Sequence, residues 1–229
     1  MQELLLLHGA LGSKEQFVSL EKKLKDSFST HLINFSGHGG EPIPREQFSI
    51  KLFADDVLSY LDKMKIDKIN IFGYSMGGYV GLFLARHFPA RVYKIFTIAT
   101  KFKWDEEIAL KETKMLNPVK IKEKIPAFAE ELRKRHSPQD WEIVLTKTAE
   151  MMTNLGRNNE LKDEDYSLIE NLVLVSVGDR DKMVSIQETD EVYRKLKNRQ
   201  MLLLPDTPHP FENVPLKRLE PEIKNFFKE

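Results

Sequence analysis

An open, mostly parallel α/β sheet of about six strands, interrupted by an inserted helical cap, is the fold this sequence predicts on three observations. Short β-rich runs alternate with amphipathic stretches, at Glu3 to Leu7, His31 to Phe35, Lys68 to Phe72, Tyr93 to Ile98, Leu172 to Val177 and Gln200 to Leu204. The alternation stops between Thr100 and Asn171, where no convincing strand is found. Finally, Ile69 to Gly81 puts a single serine between glycines where an apolar strand turns into a helix. The core is therefore assigned to residues 1–100 and 169–229, and the cap to residues 101–168.

Taken in order, the first crossover helix is marked by Ser13 with Gln16 three residues later, a capping box, followed by Phe17, Leu20 and Leu24 on one face. The second starts near Ser49 and is lined by Phe53, Val57, Leu61 and Met64. A third runs from Tyr79 to Phe88 and is stopped by Pro89. In the cap, a weak helix is predicted from Trp104 to Met115. Ile121, Ile125, Phe128 and Leu132 recur at helical spacing. Another helix opens at Ser137-Pro138, carries Trp141, Val144, Leu145, Thr148, Met151 and Leu155 in register, and ends at Gly156. Most of these apolar residues bury the cap against the core. Trp104, Phe128, Trp141 and Met151 are the large ones expected to reach a substrate pocket.

Composition narrows the function classes. Lys plus Arg and Asp plus Glu both total 35, and no basic run is interleaved with aromatics, so nucleic acid is not an expected partner. The chain has no cysteine, which excludes a disulfide framework, a thiolate nucleophile and thiolate metal ligands together. Leu4 to Leu7 is too short an apolar run for a leader, and no later segment approaches the ~20 apolar residues that span a bilayer. A soluble, cytoplasmic protein is expected, as a monomer or weak homodimer.

Chemistry concentrates at Ser75. A serine on a strand-turn-helix corner is exposed, and the amide after it, that of Met76, sits at a helix N-terminus where partial positive charge favours an oxyanion. Gly73 and Gly77 give the strained turn side-chain-free neighbours. A serine hydroxyl is a poor nucleophile near neutral pH and needs a histidine base, an acid to orient it and oxyanion donors. Of six histidines, His209 is placed best, in the loop Pro205 to Pro210 that follows a strand end. His38 also follows a strand, but a base ahead of the serine breaks the order serine, acid, histidine. For the acid, Gly178-Asp179-Arg180-Asp181 offers two carboxylates at one strand terminus, one of which can serve turn chemistry while the other holds His209. Asp105 is a third, more remote candidate.

With these residues in view, the chain resembles the α/β-hydrolase superfamily over essentially its whole length. His8-Gly9-Ala10-Leu11-Gly12-Ser13 is similar to the family's His-Gly oxyanion loop, Ser36-Gly37-His38-Gly39 to its Gly-His-Gly loop, and Gly73 to Gly77 to its nucleophile elbow. The resemblance implies Ser75, Asp181 and His209 as the triad, with Asp181 preferred over Asp179. It implies the amides of Ala10 and Met76 as the oxyanion hole, with Leu11 as an alternative amide and a substrate-binding residue. It also implies a sheet lacking the two N-terminal strands of a full eight-stranded member. A serine at position 75 argues against the branches whose nucleophile is a carboxylate. Thr207-Pro208 stands where the family usually has a glycine before the histidine.

The expected function is cleavage of a small carboxylic ester or thioester through an acyl-enzyme on Ser75, with no metal or organic cofactor. Two rivals remain. One is carbon–carbon bond hydrolysis or a cofactor-free lyase on the same fold, similar to meta-cleavage-product hydrolases and the menaquinone-pathway synthase. Residues 101–168 do not separate these, holding 13 Lys plus Arg against 14 Asp plus Glu, although Arg133 and Arg135 offer cations for an anionic substrate. The other rival is a non-catalytic small-molecule receptor.

Overall fold

Leu4 to Leu7 are all fully buried, which requires a strand covered on both faces. That strand is β1 (Gln2–Leu7), paired in parallel with β2 (Phe28–Leu32) on one side and β3 (Ile69–Tyr74) on the other. The sheet continues through β4 (Val92–Ile98), β5 (Leu172–Gly178) and β6 (Arg199–Leu204), every pairing parallel, in the order β2-β1-β3-β4-β5-β6. This computed structural model describes residues 1–228. Alternation along β1 feeds two cores. Leu5 and Leu7 join a cluster with Phe53, Val57 and Ile71, while Leu4 and Leu6 join Phe17, Phe28, Phe72 and Phe227 on the opposite face.

The second strand differs from its predicted span, lying three residues earlier than His31 to Phe35. Its ladder with β1 runs from Gln2↔Phe28 to Leu6↔Leu32, after which the chain leaves the sheet. Ile33 and Phe35 are buried all the same, because the loop that carries them folds onto the core and stacks Phe35 against Phe53. An apolar pair in a buried loop reads like a strand end from sequence.

Helices α1 (Val18–Leu24), α2 (Ile50–Met64) and α3 (Met76–His87) follow the first three strands. The Ser13–Gln16 box initiates a 3-10 turn at Lys14–Phe17 ahead of α1. Ser49 Oγ caps α2 by accepting the Leu52 N–H at 3.0 Å, an arrangement whose loss to alanine costs about 1 kcal/mol.

Between β4 and β5 lie α4 (Glu106–Thr113), α5 (Pro118–Lys124), α6 (Pro126–His136), α7 (Trp141–Arg157) and α8 (Asp163–Ser167). The apolar stripe from Ile121 to Leu132 is two helices and not one. Pro126 lacks an N–H and excludes helical geometry at Ile125, which sits at φ −138°, ψ 60°. Helix α7 starts at Trp141, three residues beyond the predicted Pro138, because the Asp140 carboxylate caps it through the Glu142 N–H at 2.9 Å. Gly156 does not end α7. A Cβ there would lie 2.5 Å from the Cβ of Ala109, so the glycine permits close packing of α7 on α4. Asp105, the remote acid candidate, is the N-cap of α4, its Oδ1 accepting from Ile108 N–H at 2.8 Å. The fold closes with α9 (Ile186–Lys195) and α10 (Leu216–Lys228).

Candidate active site

Strands β1 and β3 are neighbours, yet the chain leaves β1 toward one edge of the sheet and β3 toward the other. A crevice opens outside the carboxyl ends of strands at such a switch point. Ser75 stands there, at φ 52°, ψ −118°, a left-handed strained backbone held by its surroundings. Its N–H donates to Ile98 O at 2.9 Å, and its carbonyl accepts from Thr100 Oγ1 at 3.1 Å and Gly78 N–H at 3.0 Å. Met76 is the first residue of α3, so its N–H has no acceptor within the helix. The loop after β1 passes directly alongside. A Cβ on Gly9 would lie 3.1 Å from the Cβ of Ser75, and one on Gly77 would lie 2.2 Å from Leu7 O.

The ends of β5 and β6 supply the other groups. His209 Nδ1 and Asp181 Oδ2 are 2.8 Å apart, and the Asp181 side chain is fully buried. The second oxygen of Asp181 accepts from Met183 N–H at 2.8 Å and Val184 N–H at 2.9 Å, which locks the carboxylate plane. Asp179 serves the loops instead, its Oδ1 accepting from Thr207 N–H at 3.2 Å and tying the turn after β5 to the one after β6. The His209 ring also lies 5.6 Å, centroid to centroid, from Tyr74, the residue before Ser75.

A small cavity of about 40 Å³ opens onto Ser75, Ala10 and Met76. Of the cap residues singled out from sequence, Trp104 and Met151 are in its wall. Phe128, Trp141 and Leu11 are not among the wall residues. Trp141 is ten residues before Met151 on α7, about 15 Å along the axis, and lies beneath Lys122 with Nζ 5.8 Å from its ring. The wall also contains Ile50, Tyr79, Lys101, Met152 and Leu155, which sequence reading did not assign to the site. Two carried a usable signal. Tyr79 is four residues after Ser75, one helical turn on and facing the same way, and Lys101 follows the end of β4 on the active edge of the sheet. Lys101 is itself engaged, donating to Met183 O at 3.1 Å with Glu188 and Glu112 at 3.7 and 3.9 Å.

At and beneath the start of the loop after β1 lie three fully buried histidines, His8, His38 and His136, with ring centroids 5.4 Å apart for the first pair and 5.7 Å for the second. His136 belongs to α6, and its Nδ1 accepts from Gly39 N–H at 3.1 Å, so the trio joins the helices between β4 and β5 to the loops after β1 and β2. Burial, reinforced by His38 and Arg135, pushes His8 down to about 3. Burial and His136 push His38 to about 3. Burial, Arg135 and His8 push His136 to about 4. Unfolding lets each titrate near 6.5, so the unfolded chain binds more protons below that pH. Stability is therefore full above about pH 6.5 and is lost as pH falls toward 4, by up to ~1.4 kcal/mol per pH unit for each histidine. Burial raises Asp56 and Glu160, which act in the opposite sense. A comparison of His136→Asn with the parent isolates the histidine: the urea midpoint should fall less steeply between pH 6.5 and 4.5 in the variant. Parallel pH profiles would refute this account of the trio.

A family model described as the alpha/beta hydrolase fold matches residues 3–140. Among solved structures, the enol-lactonase from Burkholderia xenovorans LB400 is similar with a TM-score of 0.81 at 19% identity, covering 100% of this chain and 92% of that one. A thermophilic esterase from Thermogutta terrifontis gives 0.77 at 20% identity, covering 100% and 90%. By sequence, 3-oxoadipate enol-lactonase 2 of Acinetobacter baylyi is 29% identical over 101 residues, 42% of this chain and 38% of that protein. Curated relatives are matched over a minor part of their own length, 26% in one case and 38% in another. Among the described residues, no helix is long and apolar enough to cross a membrane.

Proposed function

The chain belongs to the α/β-hydrolase fold family, and from that premise we propose that it is a serine hydrolase that cleaves a small carboxylic ester or thioester through an acyl-enzyme on Ser75. The observation that carries this reading is the His209–Asp181 pair at 2.8 Å, on the same sheet edge as a serine held in a strained elbow. In this mechanism Ser75 Oγ attacks the carbonyl carbon while His209 Nε2 takes the hydroxyl proton. The same nitrogen then protonates the leaving alkoxide or thiolate. Asp181, bonded to Nδ1–H, keeps the imidazole in the tautomer whose Nε2 is free to accept. The N–H groups of Met76 and Ala10 receive the oxyanion, and water repeats the sequence to release the acid. A lactone is an internal ester, so the esterase and enol-lactonase neighbours fall within one chemistry.

The cavity bounds the acyl group. At about 40 Å³, walled by Trp104, Met151, Met152 and Leu155, it favours a short acyl group over a long chain. A series of p-nitrophenyl esters and thioesters of rising acyl length, with a fluorophosphonate probe to identify the labelled residue, tests the reading. Rapid turnover of short esters with the label on Ser75 is expected. Label on another serine, or ligand binding with no turnover, would sink it in favour of other chemistry or a receptor. Trp104→Ala and Met151→Ala should move the preferred acyl length upward, with ~1 to 3 kcal/mol of discrimination per well-placed group, while acetyl ester hydrolysis changes less than about tenfold. Trp141→Ala should leave the length profile alone. If Trp104→Ala and Met151→Ala both keep the parent profile, selectivity comes from the loops after His8 and Phe35.

A further inference from the structure

The carbonyl of Leu11 is held from the cap: Arg135 Nη1, on α6, donates to it at 2.9 Å. The same peptide group is tied at its other end, where Gly12 N–H donates to Gly9 O at 3.0 Å. Both polar ends of the Leu11–Gly12 peptide are thus pinned. That restraint matters because Leu11 lies at φ 57°, a left-handed backbone that a side chain with a Cβ disfavours. Loss of the Arg135 bond removes a restraint on that φ and on the Gly9 to Gly12 turn, which carries Ala10 into the cavity wall beside Ser75.

The other amino group of Arg135 faces Glu212 Oε1 at 3.6 Å, and that oxygen accepts from Gln16 Nε2 at 2.7 Å. Gln16 in turn accepts the Ser13 N–H through Oε1 at 3.3 Å, just beyond the turn. Glu212 follows His209 by three residues. One guanidinium therefore joins a cap helix, the oxyanion loop and the segment carrying the histidine. Its planar fork reaches a carbonyl and a carboxylate at once, which an ammonium on a flexible stem does not reproduce. Arg135 is not among the cavity wall residues, and its two amino groups are turned to Leu11 O and Glu212 Oε1.

We propose that Arg135 is a positioning residue that holds the oxyanion loop in its productive shape and so makes an assembled oxyanion hole depend on a docked cap. The inference rests on the Ser75 acyl-enzyme reading. Two variants test it, Arg135→Ala and Arg135→Lys, the second keeping the charge and most of the stem should alanine unfold the protein. Arg135→Ala should lower kcat on a short aryl ester roughly 10²-fold with KM within about threefold, the size of effect that follows loss of an oxyanion donor. Arg135→Lys should recover only part of it. An alkyl boronic acid, which mimics the tetrahedral intermediate, should bind more weakly by the same factor, and amide exchange at residues 9–12 should accelerate. Unchanged kcat with unchanged exchange overturns the proposal. So does a raised KM confined to carboxylate-bearing esters at constant kcat, which would make Arg135 a substrate ligand. Should the wild type turn over no ester, the hydrolase reading fails, and the exchange measurement alone decides whether Arg135 holds the loop.

Discussion

Replacing Ser75 by alanine is expected to abolish ester turnover, with kcat falling roughly 10⁴- to 10⁶-fold while the fold persists. The magnitude follows from what remains. Without Oγ no acyl-enzyme forms, and the oxyanion donors and binding alone leave only a residual rate over water. The backbone bonds that hold the elbow, from Ser75 N–H to Ile98 O and from Thr100 Oγ1 to Ser75 O, do not involve the lost hydroxyl. Thermal midpoint and circular dichroism should therefore match the parent. In the proposed mechanism Ser75, His209 and Asp181 act as a unit, so adding His209→Ala to Ser75→Ala should cost almost nothing more. Turnover in Ser75→Ala within tenfold of the parent would end the assignment.

Asp181→Asn should lower kcat by roughly 10² to 10⁴, and the hydrogen bonds around it say why. Two backbone N–H groups, of Met183 and Val184, point at one oxygen of Asp181. An asparagine keeps its carbonyl oxygen there, which turns its NH₂ toward His209 Nδ1. The imidazole must then accept at Nδ1 and carry its proton on Nε2, so it has no lone pair for the serine proton. The opposite amide orientation would set NH₂ against two donors. Asp179→Asn can still accept from Thr207 N–H through its carbonyl oxygen and should cost far less. Steady-state kinetics on both variants, normalised to active sites, checks the ranking. A larger loss in Asp179→Asn would transfer the role to that residue.

How much of this was legible before the structure depends on the range over which each feature is encoded. Five of the six strands lie within two residues of their predicted ends at each terminus, since each is a contiguous apolar run between turn residues. The elbow was legible for the same reason, as a local pattern of glycines about one serine. Asp179 and Asp181 were equally plausible as carboxylates in a turn, and a resemblance to known proteins favoured Asp181. Their different bonds, to Thr207 N–H and to His209 Nδ1, both reach across 28 residues to the loop after β6.

In the cap, helical periodicity identified apolar stripes but could not say which face meets the cavity. Trp141 and Met151 share one stripe on α7, yet only Met151 is in the cavity wall, because a helix 17 residues long extends past the mouth of the site. Position along the axis is set by how α7 packs on α4, α5 and α6, which no local pattern records. The three buried histidines are brought together in the same way, by packing and not by any local pattern. His8, His38 and His136 come from a loop after β1, a loop after β2 and the end of α6.

By itself, then, the sequence determined the features written within a few residues of one another: the order of strands and helices, the serine corner, and a histidine and two aspartates at strand ends. Chain packing alone decided the register of β2, the choice of cavity wall, and the reach of Arg135 to Leu11, whereas the break between α5 and α6 was already written locally in Pro126. Local patterns follow from backbone sterics and from burial with a fixed period, which act over a turn of helix or a few residues of strand. Contacts between residues far apart in the chain depend on how whole elements fit together at near-crystalline density, and that is settled only when every element is in place.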